Sequence, residues 1–181
     1  MWVHPLGVGA DCACYRGGIR DVNLVLHDLR SPGRRYCDDA SGGAATGVAV
    51  AAMIAEPMLG AGGIFPHPRY MADMAAMLKK YDILWISDEV ITGIGRLGEW
   101  FGYQSTPGVA PDLIACGKGL TGCVMPVGAV IASKDIAEPF ERARWWSGST
   151  WDGHPLVCAA IVGTLEWAFQ NDILQTVRQK G

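Results

Sequence analysis

The chain has 181 residues, half of them apolar and 18% charged, with a formal net charge of −3. That length and apolar share suffice for a buried core, while the charge balance lacks both the basic excess that nucleic-acid backbones select and the low hydrophobicity of a disordered chain, so no nucleic-acid partner is expected. The six cysteines (Cys12, Cys14, Cys37, Cys116, Cys123, Cys158) form one C-x-C pair and no paired C-x-x-C, and no run of eighteen apolar residues or signal-like N-terminus occurs; free thiols, a cytoplasmic address, no metal module and no membrane contact are the expectation.

From Met1 to about Thr46 the sequence changes texture repeatedly, with clustered Gly, Arg, Cys and Asp and one plausible strand at Val22 to Leu26; residues 1–46 are assigned to no domain. Regular alternation begins at Gly47. Val48 to Ala55 and Ile83 to Ser87 have the pattern of short buried strands, and Tyr70 to Lys80 between them carries apolar residues at helical spacing. Further apolar runs follow at Leu113 to Cys116 and Val127 to Ala132, then a helix beginning near Ser133 and a long one from His154 to Phe169. Such a β-α-β rhythm predicts an α/β fold with a mostly parallel sheet, in which ligands gather at the C-terminal ends of strands.

Three segments carry candidate chemistry. The run Ile83 to Ser87 delivers two acids, Asp88 and Glu89. In a P-loop ATPase such acids serve Mg²⁺, but the required Gly-x-x-x-x-Gly-Lys-[Ser/Thr] loop is missing. In a pyridoxal-phosphate enzyme an aspartate there pairs with the pyridinium nitrogen and keeps the ring electron-accepting; a plain strand-end acid capping a turn is the competing reading. Next, Gly117-Lys118-Gly119 follows an apolar run thirty residues after Asp88. A lysine becomes a Schiff-base nucleophile when desolvated, and small neighbours let a bulky group approach the backbone, although most Gly-Lys-Gly stretches are solvated turns. Third, Gly148-Ser149-Thr150-Trp151-Asp152-Gly153-His154-Pro155 opens the long helix. Hydroxyls and free N–H groups at a helix start suit a phosphate, with Thr150 as its contact; ordinary capping by Asp152 competes. Trp145, Trp146 and Trp151 flank this segment, and packing is their default role, as it is for His154 at a His-Pro helix start.

These segments occur in order with further matches. Ala55-Glu56-Pro57-Met58-Leu59-Gly60-Ala61-Gly62-Gly63, Ser87-Asp88-Glu89-Val90-Ile91-Thr92-Gly93-Ile94-Gly95-Arg96-Leu97-Gly98 and Pro111-Asp112-Leu113-Ile114-Ala115-Cys116-Gly117-Lys118-Gly119 together resemble the class III (ω-type) pyridoxal-phosphate-dependent aminotransferases, from about Val48 to the end. The resemblance implies the aspartate-aminotransferase-like fold type I: residues 47–165 belong to the large cofactor-binding domain and 166–181 begin the C-terminal small domain. It implies pyridoxal 5'-phosphate as cofactor, with Asp88 on the pyridine nitrogen, Val90 on the ring face and Lys118 as the Schiff-base lysine and proton shuttle. It implies a homodimer in which Thr150 reaches the cofactor phosphate of the neighbouring subunit.

Glu56 and Leu59 fall near the ring in that family. Leu59 stands where many relatives place a glutamine, and an apolar residue there implies an amine or ω-amino acid donor, with a keto acid such as pyruvate as acceptor. Glutamate-semialdehyde aminomutases are similar too, though Gly95-Arg96-Leu97-Gly98 resembles the transaminase pattern more. The glycine/serine phosphate cradle and the ring-stacking aromatic of the family are not visible in these residues, so a catalytically silent fragment or interaction module stands as the alternative, and an uncovered sheet edge and apolar face would make such a piece marginally stable or self-associating.

Overall fold

The computed structural model describes residues 25–27, 50–142 and 148–181. Trp145, Trp146, Cys12, Cys14 and Cys37 lie outside them. Among the described residues, five strands form one sheet in sequential order: β1 (Val25–His27), β2 (Val50–Ala55), β3 (Leu84–Glu89), β4 (Leu113–Gly117) and β5 (Gly128–Ala132). The pairs β2–β3 and β3–β4 are parallel, and an antiparallel strand lies on either side, β1 against β2 and β5 against β4. The expected parallel character is therefore that of the sheet's centre. Of the strand expected at Val22 to Leu26, Val25 and Leu26 belong to β1 and residues 22–24 lie outside the described residues; the register shifts between Leu26 and His27.

Helix α1 (Tyr70–Lys80) matches its sequence span. Met71, Met74 and Leu78 recur on one helical face and are buried; Asp73 in the first turn and Lys79 and Lys80 in the last complement the helix dipole. That face packs on Ala55, Ile83 and Trp85 to form the core, with Tyr103 and Val109 against it. Leu78 is buried, and truncating it to Ala removes about 2–5 kcal/mol.

The β-α-β rhythm holds for β2–α1–β3 and stops there. Residues 90–112, which join β3 to β4, contain only a 3-10 turn at Gly102–Ser105. Gly95 and Gly98 have φ of 89° and 83°, left-handed values that interrupt helical continuation and that glycine adopts without steric cost. After β5 come α2 (Lys134–Arg142), α3 (Pro155–Gln170) and α4 (Ile173–Lys180). α3 carries the chain past residue 166 without interruption, so the boundary expected at 165/166 falls inside a helix. α4 docks back on the 90–112 connection: Arg178 pairs with Glu99 at 2.7 Å, and an added Cβ on Gly98 would lie 2.8 Å from Arg178 Cγ.

Candidate active site

Strand β3 alternates between its two faces. Trp85, Ser87 and Glu89 are buried on the α1 side, and Leu84, Ile86 and Asp88 point to the opposite side. The strand extends two residues beyond the expected Ser87, so both acids belong to it. Parallel register sets Asp88 beside Ala115 and Glu89 beside Cys116 on β4, and Lys118 follows immediately after β4 ends at Gly117. Gly117 is where the strand ends close up: an added Cβ would sit 3.0 Å from the Val127 carbonyl oxygen and 4.0 Å from Val90 Cγ1. Asp88, Val90 and Lys118, separated by up to thirty residues in sequence, thus gather at the C-terminal ends of two neighbouring parallel strands.

Asp88 Oδ1 accepts from the Val90 N–H at 3.1 Å. Among the described residues Oδ2 accepts no hydrogen bond, which leaves an acceptor for a protonated nitrogen. Lys118 is exposed, and its ammonium makes no ion pair among the described residues. Its backbone has φ of 34°, an unfavourable conformation for a residue with a Cβ. The turn that follows over-determines it: Cys123 N–H donates to the Lys118 carbonyl at 3.0 Å, Gly122 N–H to Gly119 at 3.1 Å, and Thr121 Oγ1 to the Met125 carbonyl at 2.7 Å. α3 packs against this turn. A carboxylate oxygen free to accept a hydrogen bond, an exposed primary amine and an apolar side chain between them form a set that fits a pyridine ring carrying an aldehyde.

Glu56 Oε2 accepts from Gly60 N–H at 2.9 Å and so closes its own turn. Leu59 and Ile64 exchange backbone hydrogen bonds of 3.0 and 3.1 Å. This small hairpin leans on the site through Gly60, whose missing Cβ leaves room for Ile91, the neighbour of Val90. Thr150 is exposed, and among the described residues no hydrogen bond ties it to Asp88, Val90 or Lys118. Asp152 does not cap α3. The cap is His154, whose Nδ1 accepts from Leu156 N–H at 3.3 Å, while Asp152 Oδ2 accepts from Ser149 N–H at 2.7 Å.

The sequence shows Glu89 only as the second strand-end acid and gives neither it nor Asp112 a structural part. Glu89 is 1% exposed and its carboxylate is saturated: Oε1 accepts from Ser87 Oγ at 3.0 Å and Tyr103 N–H at 2.9 Å, Oε2 from Thr92 Oγ1 at 2.5 Å and Gly102 N–H at 2.7 Å. Burial, and secondarily the Glu89 charge, pushes the Cys116 thiol above the ordinary range. Asp112 works at the other end of the strands, where its Oδ2 accepts from Trp85 N–H at 2.7 Å. The available signal was period-2 spacing: residues 83, 85, 87 and 89 share a face, and two of them are polar.

The family model for class-III aminotransferases matches residues 33–181. The chain belongs to the class-III aminotransferases. The match reaches upstream of Val48, from which the resemblance is legible in the sequence. Over 136 residues the chain is 40% identical to "Gamma aminobutyrate transaminase 3, chloroplastic" of Solanum lycopersicum, covering 72% of this chain and 26% of that one. It is 42% identical over 131 residues to "Putrescine--pyruvate aminotransferase" of Pseudomonas aeruginosa, covering 71% and 28%. Among solved structures, an S-selective transaminase from Arthrobacter sp. aligns with a TM-score of 0.68 at 43% identity, over 71% of this chain and 28% of that one. These likenesses establish the α/β fold of the transaminases and the aminotransferase family for this chain. The chain spans about a quarter of the length of the curated relatives it matches.

Proposed function

We propose that this chain supplies the lysine-bearing part of a pyridoxal 5'-phosphate site that moves an amino group from an amine or ω-amino acid donor to a keto acid such as pyruvate. The observation that carries the reading is the meeting of Asp88 and Lys118 at the ends of adjacent parallel strands. When bound, pyridoxal phosphate supplies an aldehyde and an electron-accepting ring. Asp88 Oδ2 would hold a proton at the ring nitrogen, and Val90 would cover the ring and keep water from it. With that group bound, Lys118 Nζ would be the amine facing its aldehyde and, as a free base, would hold or move the proton at the substrate carbon.

The donor class rests on Leu59, an apolar residue in the hairpin that meets Ile91 through Gly60, and on relatives named for γ-aminobutyrate and putrescine. The reading extends to a cytoplasmic homodimer in which the exposed Thr150 serves the phosphate of the neighbouring subunit. The test is an absorbance scan of the chain with pyridoxal phosphate, before and after borohydride reduction, beside Lys118→Ala. A Lys118-dependent visible band supports the proposal; folded protein without one refutes it.

A second reading has its own observation. Val130, Ile131, Leu156, Val162 and Trp167 are exposed, and Lys118 is solvated. A lysine amine in water is a poor nucleophile, so the chain by itself would be catalytically silent until other protein surface covers it.

A further inference from the structure

Glu89 has no part in the chemistry proposed above, yet it is the most thoroughly bonded side chain of the described residues. Its four donors come from both flanks of Asp88: Ser87 precedes it, Thr92 closes the turn that follows, and Gly102 and Tyr103 belong to the distant 3-10 turn. Thr92 Oγ1 also approaches the Asp88 carbonyl at 3.4 Å, and Gly93 N–H donates to the Glu89 carbonyl at 2.9 Å. The turn so fixed reaches the lysine side, because an added Cβ on Gly119 would lie 3.2 Å from Ile94 Cβ. One buried carboxylate therefore holds the strand end that presents Asp88 and the loop that walls the residue after Lys118.

We infer that Glu89 is a positioning residue for the cofactor site: its four hydrogen bonds fix Asp88 relative to Lys118, although its own side chain lies on the opposite face of the sheet. The inference rests on the assignment of Asp88 and Lys118 to pyridoxal phosphate. A purely structural role would make Glu89 equivalent to Asp112, which also accepts a backbone N–H of β3 but at the far end of the strands.

The experiment compares the 181-residue chain with Glu89→Gln and Asp112→Asn, measuring the melting temperature, the dissociation constant of pyridoxal phosphate and the pH midpoint of the Lys118-dependent band. Both substitutions lower the melting temperature. Only Glu89→Gln is expected to weaken cofactor binding, by about tenfold, the worth of one hydrogen bond to a charged group, and to move the pH midpoint. Thr92→Val removes one hydroxyl donor without removing the carboxylate; it shifts binding in the same direction by a smaller factor, and Thr92→Ser restores it, which keeps the test decisive if Glu89→Gln does not fold. Equal effects of Glu89→Gln and Asp112→Asn on binding, or no effect of Thr92→Val, overturn the positioning role while leaving the cofactor site standing. Absence of any Lys118-dependent band in the unaltered chain overturns both.

Discussion

The left-handed backbone at Lys118 makes a substitution test possible that needs no cofactor. An L-residue in that region carries a steric cost of about 1–2 kcal/mol, absent in glycine. Glycine elsewhere loses about 0.5–1 kcal/mol through the greater freedom of its unfolded chain, so at φ of 34° the two terms leave Lys118→Gly more stable than Lys118→Ala by about 1 kcal/mol. In a chain of this size that corresponds to about 3 °C in melting temperature. Thermal melts followed by circular dichroism, without added pyridoxal phosphate, measure it directly. As a control, Ala159→Gly on the exposed part of α3 should fall by a similar amount. If Lys118→Gly melts no higher than Lys118→Ala, the strained lysine is not a feature of the folded chain, and its support for a functional site is lost.

Gly93→Ala puts a Cβ 2.6 Å from the Glu89 carbonyl oxygen, a backbone atom that cannot swing aside; a loss of about 1–3 kcal/mol in denaturant unfolding is expected, against about 1 kcal/mol for Gly122→Ala, where only positive φ opposes the side chain. Cys116, buried and with its thiol pushed up, should resist alkylation at pH 8 while the exposed Cys123 and Cys158 react, as peptide mapping will read. The same shift has a sign for stability: the folded chain holds the Cys116 proton more tightly than the unfolded one, so its contribution is intact below the ordinary thiol pKa (about 8.5) and is lost as pH rises through the higher folded value. Cys116→Ala should flatten the alkaline fall in melting temperature. Leu156→Lys with Val162→Lys, both at exposed positions of α3, should reduce concentration-dependent self-association in sedimentation experiments.

The elements legible in the sequence were those whose period is local. α1 was bounded by its apolar spacing, and the central strands by short apolar runs. The β3–β4 connection was less legible because its path is set by Gly93 against Glu89 and Gly98 against Arg178, contacts between residues up to eighty positions apart. Asp88, Val90 and Lys118 could be named from motifs, and parallel register unites them. Glu89 is legible only as a strand-end acid, since a charged residue there ordinarily faces water; the fold brings the N–H groups of Gly102 and Tyr103 to its carboxylate. Thr150 is legible by motif as well, and among the described residues no hydrogen bond ties it to Asp88, Val90 or Lys118. The capping of α3 went to His154 rather than Asp152 because Asp152 is engaged by Ser149 N–H.

The central claim is that Lys118 is the lysine that takes the cofactor. Incubating the folded chain with pyridoxal phosphate, reducing with borohydride and mapping the modified peptides by mass spectrometry tests it most directly. The label should concentrate on Lys118 at stoichiometric cofactor and vanish there in Asp88→Ala at the same concentration. Label spread evenly over Lys118, Lys79, Lys80 and Lys134, with no dependence on Asp88, would contradict it.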